Sequence, residues 1–182
     1  RGSTSLPVSG LPAPLVYVSP TQINFQAPFE VAGRTADLVL ATPAGTSAPV
    51  RVPLAALQPG IFFDTTSRFG AIVHNSDGKL TTERPARAGD FLQVYATGLG
   101  AVAPAVSTGF PAPLAPLART VAQPAVTIAG RPATIAFSGL APGFAGLYQL
   151  TIQVPEGVPA GRQTLALLVQ GLRSNEVFLN VQ

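Results

Sequence analysis

A single histidine, His74, lies two and three residues before Ser76 and Asp77, and the three are the residue types of a nucleophilic triad. Their adjacency argues against that chemistry, because three side chains of one tight turn cannot converge as nucleophile, base and orienting carboxylate. The expectation for His74 is a solvent-facing place at a strand end. With no second imidazole and no cysteine, most acid–base and metal schemes, thiolate nucleophiles and disulfide staples fall away. The eight carboxylates are dispersed, and no two share a motif suited to glycoside hydrolysis. Asn75-Ser-Asp-Gly-Lys79 has oxygen ligands but no later bidentate glutamate, so it reads as a turn and not a calcium loop. Thr97-Gly-Leu-Gly100 follows an apolar run as a phosphate loop would, yet Ala-Val-Ala-Pro104 comes next and supplies no helix N-terminus for an anion. These residues predict no catalytic group, no metal and no cofactor.

Binding chemistry is left to the aromatics. Tyr17, Phe62, Phe63, Phe69, Phe144 and Tyr148 are the candidates for stacking against a ligand, as β-sandwich modules do with sugars. Ser138-Gly-Leu-Ala-Pro-Gly-Phe-Ala-Gly146 is a glycine-rich loop of the kind that carries binding on a rigid scaffold, and it places Phe144 close to Tyr148 in the chain. The chain has no Trp, which weakens the sugar reading and favours packing or interdomain contact for the same rings.

The elements that position these residues are strands. Hydrophobic residues make up 47% of the 182 positions and charged residues only 10%, which predicts an ordered chain. The 18 Gly and 19 Pro favour many short strands joined by turns and disfavour long helices. The net charge of +3 comes from basic residues scattered from Arg1 to Arg173 without a run, so nucleic acid is not an expected partner. Four prolines break the uncharged stretch from Phe91 to Ala118, and Ser, Gly, Gln and Pro punctuate that from Pro132 to Pro155, which argues against membrane spans; Arg1-Gly-Ser-Thr-Ser-Leu-Pro7 lacks the apolar core of a signal peptide. The expectation is a piece of a longer exported parent.

The chain also repeats itself. Gln22-Ile-Asn-Phe-Gln-Ala-Pro28 returns as Gln149-Leu-Thr-Ile-Gln-Val-Pro155, each a strictly alternating strand ended by proline. Upstream, Val8-Ser-Gly-Leu-Pro-Ala13 matches Ile128-Ala-Gly-Arg-Pro-Ala133, and Leu15-Val-Tyr-Val-Ser19 matches Ile135-Ala-Phe-Ser138. Downstream, Ser47-Ala-Pro-Val-Arg-Val52 falls on Ser174-Asn-Glu-Val-Phe-Leu179. Duplication of one β module follows. Between the copies, Phe69 to Thr82 reads as a hairpin turned at Asn75-Ser-Asp-Gly78. Ala101 to Pro124 reads as an extended, proline-rich surface connection.

Gly89-Asp-Phe-Leu-Gln-Val-Tyr-Ala-Thr-Gly-Leu-Gly100, then Val126-Thr-Ile-Ala-Gly130, Leu150-Thr-Ile-Gln-Val-Pro155 and Gly161, resembles the immunoglobulin-like IPT/TIG module. The chain from about residue 8 to 182 resembles the uncharacterised C-terminal domain family of Solibacter and other acidobacteria. Tyr17-Val-Ser-Pro-Thr-Gln-Ile-Asn-Phe-Gln-Ala-Pro28, Pro59-Gly-Ile-Phe62, Pro85-Ala-Arg-Ala-Gly-Asp90 and Gly139-Leu-Ala-Pro-Gly-Phe-Ala-Gly-Leu-Tyr-Gln149 carry that likeness. It implies an all-β chain of two tandem immunoglobulin-like sandwiches at the end of a secreted or cell-surface protein, without an established activity to carry over.

The copies are unequal, because nothing before Val8 matches Gly89 to Gly100. The first sandwich, residues 1–59, therefore lacks its opening strand, while residues 86–182 form a complete one. An unfilled sheet edge is a liability. The favoured expectation is that the 60–85 hairpin segment completes the first sandwich; a short edge or a strand from another chain are the alternatives. The expected partners are other domains of the parent, a protein or a polysaccharide, with the chain a monomer or a weak homo-oligomer through the open edge. The expected role is a non-catalytic spacer, adhesion or interaction module, with carbohydrate binding the alternative.

Overall fold

The computed structural model describes residues 4–182; the start of the Arg1–Pro7 segment considered above lies outside them. Among the described residues every regular element is a strand, and no helix is long and apolar enough to cross a membrane. In the first copy, β1 (Pro7–Val8) and β2 (Leu11–Pro12) form a hairpin, as do β3 (Leu15–Val18) and β4 (Ile23–Phe25). β5 (Thr35–Leu38) lies between β1 and β8 (Val50–Pro53), and the small hairpin of β6 (Ala41–Thr42) and β7 (Gly45–Thr46) links β5 to β8. Val8, Ala13 and Ala36 are buried together at the centre of this unit, with Phe25, Leu38 and Val52 packed around them.

The second copy is larger. It is entered through β9 (Gly60–Ile61), β10 (Ile72–His74), β11 (Phe91–Thr97), β12 (Val102–Ala103) and β13 (Arg119–Thr120). It continues with β14 (Pro124–Ile128), β15 (Arg131–Leu140), β16 (Tyr148–Gln153), β17 (Gly161–Val169), β18 (Leu172–Arg173) and β19 (Val177–Val181). The path β10-β11-β16-β15-β14-β17 folds over on itself into two layers. The long β15 makes the fold-over: Arg131 to Ala133 pair with β14 and Thr134 to Leu140 with β16, with a bulge at Ala136 within the second stretch. Leu92, Val94, Leu150 and Ile152 of one layer share a core with Leu165, Leu167, Val177 and Leu179 of the other. All eight are at most 1% exposed, and each such burial is worth about 1.5–3 kcal/mol.

The duplication read in the sequence is repeated in the pairing. Val8 faces Leu11 and Leu38, as Ile128 faces Arg131 and Leu165. Tyr17 faces Asn24 and Val18 faces Ile23, as Phe137 faces Thr151 and Ser138 faces Leu150, with a bulge one residue before Tyr17 and before Phe137. Ser9-Gly10 and Ala129-Gly130 turn with φ of 48° and 83°, and of 50° and 76°. These left-handed pairs suit a tight two-residue hairpin turn, and glycine takes the second place in both. Ser47 Oγ accepts from the Leu40 N–H at 3.0 Å and Ser174 Oγ from the Leu167 N–H at 2.9 Å.

The segment between the copies does not complete the first one, contrary to expectation. β10 and β9 both pair with β11, and Val73 bridges to Leu80 across the expected hairpin turn. The same segment then runs along the other layer: Gly70 N–H donates to the Phe178 carbonyl, and Ala86 N–H to the Asn180 carbonyl. It closes the second copy at β19, so residues 60–85 belong with that copy. Gly70 permits the approach, since a Cβ there would lie 2.8 Å from side-chain atoms of Ile72 and Val177. The proline-rich connection also differs from a bare extended linker, because β12 and β13 within it pair with each other and β13 joins β15.

Candidate functional site

The residues that suggested catalysis are spent on structure. His74 is buried, not solvent-facing as expected, because it follows Ile72 on the inward face of β10. Its Nε2 lies 2.8 Å from the Arg84 carbonyl and its Nδ1 3.6 Å from Asp90 Oδ2. Arg84 reaches back to Ser76 Oγ at 3.1 Å and to Asp77 Oδ1 at 3.3 Å, so Ser76 and Asp77 clamp a turn, and the ring's own partners are the Arg84 carbonyl and Asp90. The Lys79 N–H bonds Asp77 and holds its carboxyl below the ordinary range, which is turn chemistry. Among the described residues no three His, Asp or Glu side chains gather as metal ligands. Gly98 is no phosphate loop either: its φ is +70°, and a Cβ on it would lie 1.9 Å from the Gln58 carbonyl oxygen. The chain leaving the first copy is laid against this glycine, and the Gln58 N–H donates to its carbonyl at 2.9 Å.

That docking creates a cleft of about 950 Å³ between the two copies. Of the six aromatic candidates, it collects Phe62, Phe144 and Tyr148. Phe62 and Phe144 are 46% and 57% exposed, rings displayed at the wall. Tyr148 is buried behind them, donates its hydroxyl to the Gly100 carbonyl, and has its phenol pushed up to about 12 by burial. It is wall, not platform. The other three lie elsewhere: Tyr17 is exposed on β3, Phe63 bridges to Gly70, and Phe69 meets Phe178 edge-on with centroids 6.2 Å apart.

The first copy contributes Asn24, Phe25, Gln26 and Phe29 to the opposite wall. Its chain beyond β4 is pinned to the second copy at Thr108. The Phe29 N–H donates to Thr108 Oγ1 at 2.8 Å, and that hydroxyl donates to Glu30 Oε2 at 2.5 Å. The Thr108 hydroxyl and N–H together hold the Glu30 carboxyl below its ordinary range. Gln26 Oε1 accepts from the Gly109 N–H at 3.0 Å, whereas Gln26 Nε2 is buried without a partner. Phe29 is left 42% exposed. Sequence reasoning missed Phe25, Gln26 and Phe29 as site residues, because the cleft joins positions some eighty residues apart. The one available signal was the absent opening strand, which implied that the apolar face of Ile23 and Phe25 lacked cover.

No protein-family model and no curated protein matches the chain. Among solved structures, it is similar to Bacteroides ovatus SGBP-B of the mixed-linkage glucan utilization locus, solved with a mixed-linkage heptasaccharide, at 14% identity and a TM-score of 0.36. The match takes in 100% of this chain and 37% of that one. A likeness of that size carries no argument about ligand or activity.

Proposed function

We propose that this chain is a non-catalytic, immunoglobulin-like interaction module of a secreted or cell-surface bacterial protein, of the kind its resemblance to the Solibacter C-terminal family implies. In this reading the cleft between the copies receives a polypeptide partner. The observation that carries it is the set of three exposed phenylalanine rings, Phe29, Phe62 and Phe144, lining one cleft of about 950 Å³. Aromatic anchors in a partly desolvated pocket are where binding energy concentrates. The lone histidine and its neighbouring Ser and Asp fit the same reading, since they are engaged in turn and core contacts.

A second reading, polysaccharide binding, is favoured by the side-chain amides of Asn24 and Gln26 in the same cleft, polar groups that fix the orientation of a ligand among apolar walls. One experiment separates the two. The chain and its Phe62→Ala/Phe144→Ala double variant are challenged with a displayed random-peptide library and with a glycan panel. The polypeptide reading predicts peptides retained by the chain and released by the double variant. Retention of glycans alone moves the function to carbohydrate binding, and peptides retained equally by both proteins overturn the cleft as the binding face.

A further inference from the structure

The second copy shows what the first is missing. There β16 is hydrogen-bonded on both sides, to β15 and to β11; among the described residues its counterpart β4 pairs only with β3. The Ser19 N–H donates to the Gln22 carbonyl and the Gln26 N–H to the Pro14 carbonyl. Antiparallel alternation then directs the backbone groups of Gln22, Asn24 and Gln26 to β3 and those of Ile23 and Phe25 to the open side. Ile23 and Phe25 correspond to Leu150 and Ile152, which face Val94 and Leu92 of β11. The uncovered lane is visible as two hollows. One, of about 450 Å³, is bounded by Leu6, Ile23 and Leu40, and the other is the cleft, which reaches Val8 and Phe25.

A second and independent observation lies at the end of the lane. In the complete copy Gln153 Nε2 donates at 3.2 Å to the carbonyl of Gly89, two residues before β11 begins. Gln26 is its counterpart, is only 9% exposed, and has an Nε2 without a partner. A buried, unpaired amide N–H costs about 1–3 kcal/mol. The atom that meets the entering strand in one copy is unsatisfied in the other.

We infer that the open side of β4 takes up an extended polypeptide as an added strand. The inference rests on the polypeptide reading of the cleft and deepens it. The strand runs antiparallel to β4 from the cleft toward Thr21, offers a carbonyl to Gln26 Nε2, and turns alternate apolar side chains inward as Leu92, Val94 and Ala96 do in β11. Main-chain pairing supplies the affinity and the alternate side chains the selectivity. The β11 of a second copy of this chain is not the donor, because it is already held between β10 and β16.

The probe is the peptide Ala-Gly-Asp-Phe-Leu-Gln-Val-Tyr-Ala-Thr-Gly, the sequence of residues 88–98, added to the full chain while amide exchange is followed residue by residue. The expected result is saturable binding with slowed exchange at Ile23 and Phe25 and no change at Asn24, whose N–H already faces β3. A peptide N-methylated at the positions of Leu92 and Val94 should bind at least about tenfold more weakly, having lost two pairing N–H groups. Binding that disappears with Phe62→Ala/Phe144→Ala but leaves exchange at Ile23 and Phe25 unchanged overturns strand addition and leaves the cleft reading standing. No binding at all overturns strand addition, and the cleft reading is then decided by the peptide library.

Discussion

The two halves of this chain have the same pairing order but different degrees of closure. In the second, β11 lies along β16, the 60–85 segment covers β19, and β13 covers the far end of β15. Phe137 is there 9% exposed beneath the Arg119 guanidinium. In the first, none of these covering strands is present among the described residues, and Tyr17, the counterpart of Phe137, is 51% exposed. The same local sequence thus yields a sealed core where covering strands are present and an accessible lane where they are not. Closure is a property of what lies beside the repeat, not of the repeat itself, and that is why the binding reading attaches to the first copy and its border.

Substitutions at matched positions test that contrast. The largest difference is expected for the cores. Leu150→Ala should lower stability in urea unfolding by about 2–5 kcal/mol, the usual cost of truncating a fully buried leucine. Ile23→Ala at the matching position should cost no more than about 1 kcal/mol, because Ile23 is only half-buried and water already reaches it. Equal losses would erase the contrast. A smaller difference is expected for the paired serines. Ser174→Ala removes the acceptor of the buried Leu167 N–H and should cost about 1–3 kcal/mol, while Ser47→Ala, in an exposed strand junction, should stay within about 0.5 kcal/mol.

Much of this was legible in the sequence. The alternation of Gln22–Gln26 and Gln149–Gln153, the prolines that end both strands, and the spacing of Ser47 and Ser174 located the duplication, and pairing reproduces it register by register. The missing opening strand was legible too. What could not be read was where the Phe69–Thr82 hairpin would attach, because a hairpin's own pattern specifies its turn and not the edge it joins; the choice depends on Gly70 passing close to Val177, a contact more than a hundred residues distant in sequence. His74 was misplaced for a related reason. A lone polar residue at a strand end looks solvated until the returning chain, here the Arg84 carbonyl, gives its ring a buried partner. The cleft has no signature in the sequence, because Phe29 and Gln26 become site residues only when Thr108 and Gly109 dock against them.

The central claim, that the first copy presents an unpaired strand edge where the second is closed, is tested most directly by residue-resolved hydrogen exchange of the chain alone. The prediction is that the amides of Ile23 and Phe25 exchange at rates approaching an unprotected backbone while those of Leu150 and Ile152 are among the slowest in the molecule. Comparable protection at all four would contradict it, since it would mean that the open side of β4 is already paired.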